Sequence, residues 1–183
     1  METNYYQETN ETANFINPTD RLKVVVRIRP FLKNEVKNLK KRKHYLAVGE
    51  NHRHLYVMDN KEDKEFQFDH VLDMDADQFH WFDILGESIL SDILEGYNST
   101  LMAYGQTGSG KTHTVFGSRQ AIDTIGKSGP LINESGLVPR LVENLFDYIR
   151  ENPRNAQFRI TVSFLQIYME QITDLLATSP YEA

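Results

Sequence analysis

Cysteine is absent from this chain of 183 residues. Its absence excludes a disulfide framework, a thiolate metal site and a cysteine nucleophile. The chain also lacks any apolar run approaching the roughly 20 residues of a membrane-spanning helix. Residues 1–14 are polar and have no apolar core of the kind that a secretory signal peptide requires. These absences are compatible with a cytoplasmic protein, for which no membrane partner is expected.

Positive charge is also in short supply. The 26 acidic side chains outnumber the 20 lysines and arginines, which gives a net charge of −6. We therefore predict no nucleic-acid partner. The basic run at residues 40–43 is interpreted as a solvated surface rather than a contact for an acidic partner. No metal site is predicted around His44, His52 and His54, because no cysteine or carboxylate completes a ligand set there.

Glycines, by contrast, are concentrated in one short stretch. Residues 105–112 read G-Q-T-G-S-G-K-T and match G-x-x-x-x-G-K-[ST], the phosphate-binding loop. Glycine lets the backbone approach a polyphosphate closely, and successive N–H groups at a helix N-terminus attract anions. Lys111 is expected to reach the outer phosphates, and the Thr112 hydroxyl to bind Mg²⁺. The predicted phosphate-binding residues are Gly105, Gln106, Thr107, Gly108, Ser109, Gly110, Lys111 and Thr112.

The surroundings of this loop decide between a functional motif and a chance Gly/Ser/Thr-rich turn. Residues 100–104 form a short apolar run typical of a buried parallel strand, and a helix is predicted after the loop. Strand, loop and helix are the context that the motif requires. The sequence therefore predicts nucleotide binding.

The remaining pattern predicts one α/β domain. Strands are predicted at residues 22–28, 45–48, 54–58, 66–71, 100–104 and 158–164, and helices from Phe82, after a capping pair at Asp75 and Gln78, and from Val138. Residues 1–20 are predicted to be a disordered leader. Residues 117–136 are predicted to be a long functional or mobile loop, and residues 170–176 one or two helical turns.

Five motifs together resemble the first half of a kinesin motor domain. They are V-V-V-R-I-R-P at residues 24–30, F-Q-F-D-H-V at 66–71, L-E-G-Y-N at 94–98 followed by A-Y-G-Q-T-G-S-G-K-T at 103–112, G-L-V-P-R at 136–140, and V-S-F-L-Q-I-Y-M-E-Q-I-T-D-L-L at 162–176. They occur in the family's order over residues 21–176. Gln166 and Met169 differ from the family's usual Glu and Asn, and we expect both changes to be tolerated.

The resemblance implies a fold, ligands and a partner. The implied fold is a phosphate-loop NTPase-type sheet with helices on both faces. The implied ligands are ATP and Mg²⁺. The implied activity is that of a microtubule-stimulated ATPase associated with the cytoskeleton. Arg27, Arg29 and Pro30 would border the adenine, with His113 on the other side of the ring. The alternative for Arg27 and Arg29 is a pair of solvent-facing charges, since residues two apart share one face of a strand.

The chain departs from the family in one respect that concerns catalysis. After Thr112 it contains neither of the family's switch motifs, N-x-x-S-S-R-S-H and D-L-A-G-S-E. Residues 21–183 are therefore interpreted as the N-terminal half of a motor domain, with the microtubule-binding face in the other half. One hypothesis is an ATPase motor whose isolated half does not hydrolyse ATP. The alternatives are a truncated, non-catalytic nucleotide-binding or interaction module, and, more remotely, another phosphate-loop ATPase or GTPase.

Overall fold

A computed structural model describes residues 22–33, 35–36, 45–58, 62–127, 131–152 and 157–177. The predicted leader and the basic run at residues 40–43 lie outside these ranges. Along the described chain, five strands are followed by the helices and then by two more strands. The fold is therefore mixed α/β, as the sequence predicts.

Two short parallel strands form the first sheet. Strand β1 (Val25–Arg27) pairs with β5 (His70–Leu72), and Val26 lies opposite Val71. A second sheet contains β2 (Tyr45–Val48), β3 (His54–Met58) and β4 (Lys64–Gln67) in antiparallel order. The hairpin predicted at residues 45–58 is thus confirmed.

The strand predicted at residues 66–71 is divided between these two sheets. Asp69 interrupts it, because its backbone N–H donates to the Val24 carbonyl at 3.1 Å. Its side-chain Oδ2 accepts from the Val24 N–H at 2.7 Å. One acidic residue therefore ends β4 and aligns β5 beside β1.

A helical segment follows β5. It consists of α1 (Gln78–Trp81), a π-helical turn (Phe82–Gly86) and α2 (Glu87–Leu94). The predicted helix from Phe82 is confirmed, but the predicted capping pair is wrong. Asp77 caps α1 instead, and its Oδ1 accepts from the His80 N–H at 3.0 Å. Gln78 is buried and bonds elsewhere.

Three more helices lie before, within and after the loop predicted at residues 117–136. They are α3 (Lys111–Phe116), α4 (Arg119–Thr124) and α5 (Leu137–Glu151). Helix α4 lies within the predicted loop, and an antiparallel bridge between Gly117 and Ser135 closes the loop at its base. The predicted helix from Val138 is confirmed as α5.

Two predicted strands are not formed. Residues 100–104 and 157–164 have no regular secondary structure. A strand needs a neighbour for its backbone N–H and C=O groups, and within the described ranges neither segment has one. Their side chains are consequently exposed, and Tyr104 is 97% accessible.

The C-terminal part of the described chain is a β-hairpin. Strands β6 (Leu165–Tyr168) and β7 (Gln171–Asp174) pair antiparallel. The helical turns predicted at residues 170–176 are therefore wrong. Met169 and Glu170 both have positive φ, 50° and 63°, and this connection matches the right-handed twist of a two-residue hairpin.

The buried core lies where the first sheet meets the helices. Leu72, Trp81, Leu85 and Leu137 form its centre, and Val25 and Leu141 pack against it. This arrangement joins β1, β5, the helical segment and α5, and α3 lies beside α5. None of the helices in the described part of the chain is long and apolar enough to cross a membrane.

Candidate phosphate-binding site

The phosphate loop (residues 105–112) has the backbone that its glycines predict. Gly105, Gly108 and Gly110 have φ values of 151°, 80° and 105°, a region that residues with a side chain rarely adopt. A Cβ at Gly105 would lie 2.5 Å from Ser109 Oγ, whereas no atom lies within 4 Å of a Cβ built on Gly108. The loop is therefore closed on its inside and open at Gly108, where a phosphate can approach the backbone.

Helix α3 begins at the end of this loop without a capping side chain. Its N-cap is Gly110, in the left-handed conformation, and it makes no side-chain capping hydrogen bond. The first N–H groups of an α-helix have no partner within the helix, and they carry partial positive charge. The start of α3 therefore suits an anionic ligand.

Lys111 brings a full positive charge to the same place. Its Nζ donates to the carbonyls of Gly105 and Gln106, at 2.8 and 3.0 Å. Both bonds hold the ammonium group across the phosphate loop. Thr112 follows in the first turn of α3 and is exposed. The loop thus combines an open backbone, a cation and an accessible hydroxyl, which are the groups that a Mg²⁺-bound polyphosphate requires.

Arg29 contacts the phosphate loop from the end of β1. Its Nε donates to the Gly108 carbonyl at 2.9 Å. Its Nη1 and Nη2 bind the Glu35 carboxylate at 2.8 and 2.7 Å. The hydrogen bonds to Glu35 raise the pKa of Arg29. Pro30, whose carbonyl also accepts from Arg29, is exposed beside it.

Arg27 lies on the same side of β1 but is half-buried. Its Nη1 donates to Thr114 Oγ1 at 3.2 Å and to Gln78 Oε1 at 3.1 Å. Its guanidinium lies 5.6 Å from the centre of the Trp81 ring. Burial lowers the pKa of Arg27. The interpretation of Arg27 as a solvent-facing charge is therefore wrong, whereas Arg29 keeps about a third of its side chain accessible.

His113 is exposed on α3 and lies near Arg27. Partial burial lowers the pKa of its imidazole, the positive charge of Arg27 lowers it further, and Glu134 opposes both effects. A lowered pKa favours the neutral ring at pH 7. Whether His113 and Pro30 flank an adenine stays a prediction.

Gln78 is the residue of this site that the sequence interpretation missed. It is 3% exposed, and its Nε2 donates to the His113 carbonyl at 2.8 Å. A glutamine beside Asp77 in the first turn of a helix is also typical of a solvated cap. The sequence therefore contains no signal that would have distinguished a solvated cap from a buried hydrogen-bonding side chain at this position.

The base of the loop after α3 is fixed by a buried arginine. Arg140 Nε donates to the Ser135 carbonyl at 3.0 Å, and its Nη2 donates to the Asn133 carbonyl at 2.9 Å. Its guanidinium lies 3.9 Å from the centre of the Phe79 ring in α1. These contacts hold the residues before α5 against α1, and the bridge between Gly117 and Ser135 joins the same residues to the end of α3.

Comparison with known proteins agrees with this geometry. A sequence profile of the kinesin motor domain matches residues 27–183. The kinesin-like protein KIN-5C of Nicotiana tabacum is 36% identical over 160 residues, which are 85% of this chain and 15% of that protein. The human kinesin-1 heavy chain is 34% identical over 158 residues, 86% of this chain and 15% of that protein.

A solved structure agrees as well. The structure of a fast kinesin, described with its implications for ATPase mechanism and interactions with microtubules, superposes with a TM-score of 0.71 at 34% identity. The match covers 85% of this chain and 41% of that one. The chain therefore spans less than half of that structure and about a sixth of the curated relatives. Since the profile, the relatives and the fold agree, the chain belongs to the kinesin motor domain family.

Proposed function

We propose that this chain is the ATP-binding portion of a kinesin-like motor that couples ATP hydrolysis to movement along microtubules. The observation that carries the proposal is the geometry of the phosphate loop. Three positive-φ glycines, the Lys111 ammonium group and the uncapped start of α3 converge on one open place. Family membership connects this loop to ATP rather than to another anion.

Each residue of the loop has a separate task. The backbone of residues 105–110 admits the phosphates, and Lys111 neutralises their outer oxygens as a point charge. The Thr112 hydroxyl would hold Mg²⁺, which would supply positive charge to offset that of the phosphates. Arg29 keeps the loop in place through the Gly108 carbonyl.

The adenine is proposed to lie between Pro30 and His113, with Arg27 and Arg29 bordering it. Pro30 and His113 are both exposed, and Arg29 joins the strand end to the phosphate loop. Arg27 lies near His113, and its positive charge lowers the pKa of the His113 imidazole. A microtubule partner and a cytoplasmic, cytoskeletal location belong to the same proposal, and family membership supports both.

A second candidate is a nucleotide-binding module without catalytic activity. Residues 113–183 contain neither switch motif. Phosphoryl transfer depends on groups that position water and stabilise transition-state charge. On this candidate the chain binds ATP but does not turn it over, and a phosphate-release assay with microtubules separates the two.

The test of nucleotide binding uses Lys111→Ala in the 183-residue chain. A charge-assisted hydrogen bond contributes about 1.5–3 kcal/mol, so we expect the variant to bind a fluorescent ATP analogue roughly 10- to 100-fold more weakly. Lys64→Ala, an exposed lysine in β4 of the other sheet, is the matched control and should bind as wild type does. Equal affinity in Lys111→Ala would contradict the assignment.

A further inference from the structure

A buried side-chain amide joins the helical segment to α3. Gln78 accepts from Arg27 Nη1 at 3.1 Å through Oε1 and donates through Nε2 to the His113 carbonyl at 2.8 Å. Both ends of the amide are therefore used, and the residue is 3% exposed. Removing a buried partner leaves polar groups unsatisfied, which is more costly than losing a solvated bond.

Arg27 makes a second connection to the same helix. Its Nη1 also donates to Thr114 Oγ1, on α3, at 3.2 Å. Its Nη2 donates to the Ala76 carbonyl, before α1, at 3.4 Å. The two side chains thus hold consecutive residues of α3, His113 and Thr114. These residues directly follow Lys111 and Thr112, the proposed phosphate and Mg²⁺ ligands.

Helix α3 depends on such tertiary contacts for its orientation. It has six residues and no side-chain cap, and a helix this short is not stable by itself. We propose that Gln78, with Arg27, is a positioning residue of the nucleotide site. It fixes the orientation of α3, and through it the place where Lys111 and Thr112 meet the phosphates. This inference rests on the proposed binding of ATP.

The test begins with Gln78→Met, which keeps the size of the side chain and removes both hydrogen bonds. We expect the dissociation constant for Mg²⁺-ATP to rise about tenfold, equivalent to about 1.4 kcal/mol. Amide hydrogen exchange should become faster in α3. Gln120→Met makes the same chemical change on an exposed position of α4 and should alter neither quantity.

Gln78→Glu separates the two bonds. Its carboxylate still accepts from Arg27, but it has no donor for the His113 carbonyl. Exchange in α3 should therefore rise, and the affinity for ATP should fall as in Gln78→Met. The emission of Trp81, the single tryptophan of the chain, should stay as in wild type because Arg27 remains over its ring.

A purely structural role for Gln78 has a different signature. It would lower the urea midpoint and the fraction of binding-competent protein, but not the dissociation constant of the folded molecules. If Gln78→Met does not fold, Gln78→Glu provides the same measurement, and so does Thr114→Val, which removes the acceptor for Arg27 on α3. Wild-type affinity in both would overturn the inference.

The outcomes distinguish this inference from the proposed function. Loss of binding in Lys111→Ala with wild-type affinity in Gln78→Met would overturn the positioning role and leave nucleotide binding intact. If the wild-type chain binds no ATP, the proposed function fails. Hydrogen exchange then decides alone whether Gln78 holds α3, and unchanged exchange in Gln78→Met would overturn that role.

Discussion

Arg27 and Arg29 belong to one strand end but have different environments. Arg29 binds a carboxylate and one carbonyl of the phosphate loop, and the bonds to Glu35 raise its pKa. Arg27 binds a neutral amide, a hydroxyl and a carbonyl while half-buried, and burial lowers its pKa. One arginine therefore secures the loop, and the other secures the helix that follows it.

His113 provides a test of the base-binding proposal at the scale of one side chain. His113→Ala keeps the backbone carbonyl that accepts from Gln78 and removes only the ring. Stacking of a base on an aromatic ring contributes about 1–3 kcal/mol, so ATP affinity should fall at least about fivefold. Inorganic triphosphate, which has no base, should bind as it does to wild type.

Competition titrations with the two ligands measure this difference. An equal loss for ATP and triphosphate would show that His113 acts on the phosphates or on α3, and would place the adenine elsewhere. His80→Ala is the matched control, because His80 is an exposed histidine on α1 that bonds to Asp77. It should change neither affinity.

At the scale of elements, the phosphate loop was predictable because its backbone conformation is encoded in residue type. The backbone at Gly105, Gly108 and Gly110 has positive φ, which glycine adopts readily. The helices from Phe82 and Val138 were predictable for a similar reason, since their apolar spacing is a local property. Residue type and apolar spacing were therefore sufficient to predict the phosphate loop and these two helices.

The failures concern elements whose formation depends on distant residues. Residues 100–104 have the apolar character of a strand but no neighbouring strand in the described part of the chain. Gln78 has a residue type that suits a cap, and only the position of His113, 35 residues away, makes it a buried bridge. Neither circumstance is visible in a short window of sequence.

Gly136 tests the contact between the start of α5 and the end of α3. A Cβ there would lie 2.5 Å from the Gly117 nitrogen and 2.6 Å from the Phe116 backbone. Overpacking of this kind costs about 1–3 kcal/mol, so Gly136→Ala should lower the free energy of unfolding measured in urea.

Gly126→Ala is the contrasting variant. A Cβ at Gly126 meets no atom within 4 Å, but its φ of 78° is unfavourable for alanine, at about 1–2 kcal/mol. Gly136 has an ordinary φ of −78°, so its effect is steric alone. ATP affinity should fall in Gly136→Ala, where α3 must move, and not in Gly126→Ala. Unchanged stability in Gly136→Ala would refute the close packing.

At the scale of the whole molecule, the described chain leaves many large apolar side chains exposed. The most exposed of them lie mainly in two unpaired segments and in the last hairpin: Met102 is 80% exposed, Tyr104 97%, Val162 70% and Ile167 75%. Val142 and Phe146 on α5 are exposed as well. Exposed apolar surface of this extent promotes association.

The 183-residue chain is therefore expected to self-associate in solution. Light scattering during size-exclusion chromatography should show a mass above that of the 21.3 kDa monomer. The fluorescence of a dye that binds exposed apolar surface should increase when the protein is added. Replacing Met102 and Val162 by threonine should shift the population toward monomer. A wild-type chain that elutes as a monomer without dye binding would contradict this expectation.

The bridge between Gly117 and Ser135 has a consequence for insertions between these two residues. The bridge and the contacts of Arg140 fix both ends of the intervening loop, so the distance between α3 and α5 does not depend on what lies between them. Closing a loop of twice the length adds only about 0.6 kcal/mol of entropy. Insertions at the exposed Gly126 should therefore be tolerated without disturbing the phosphate loop.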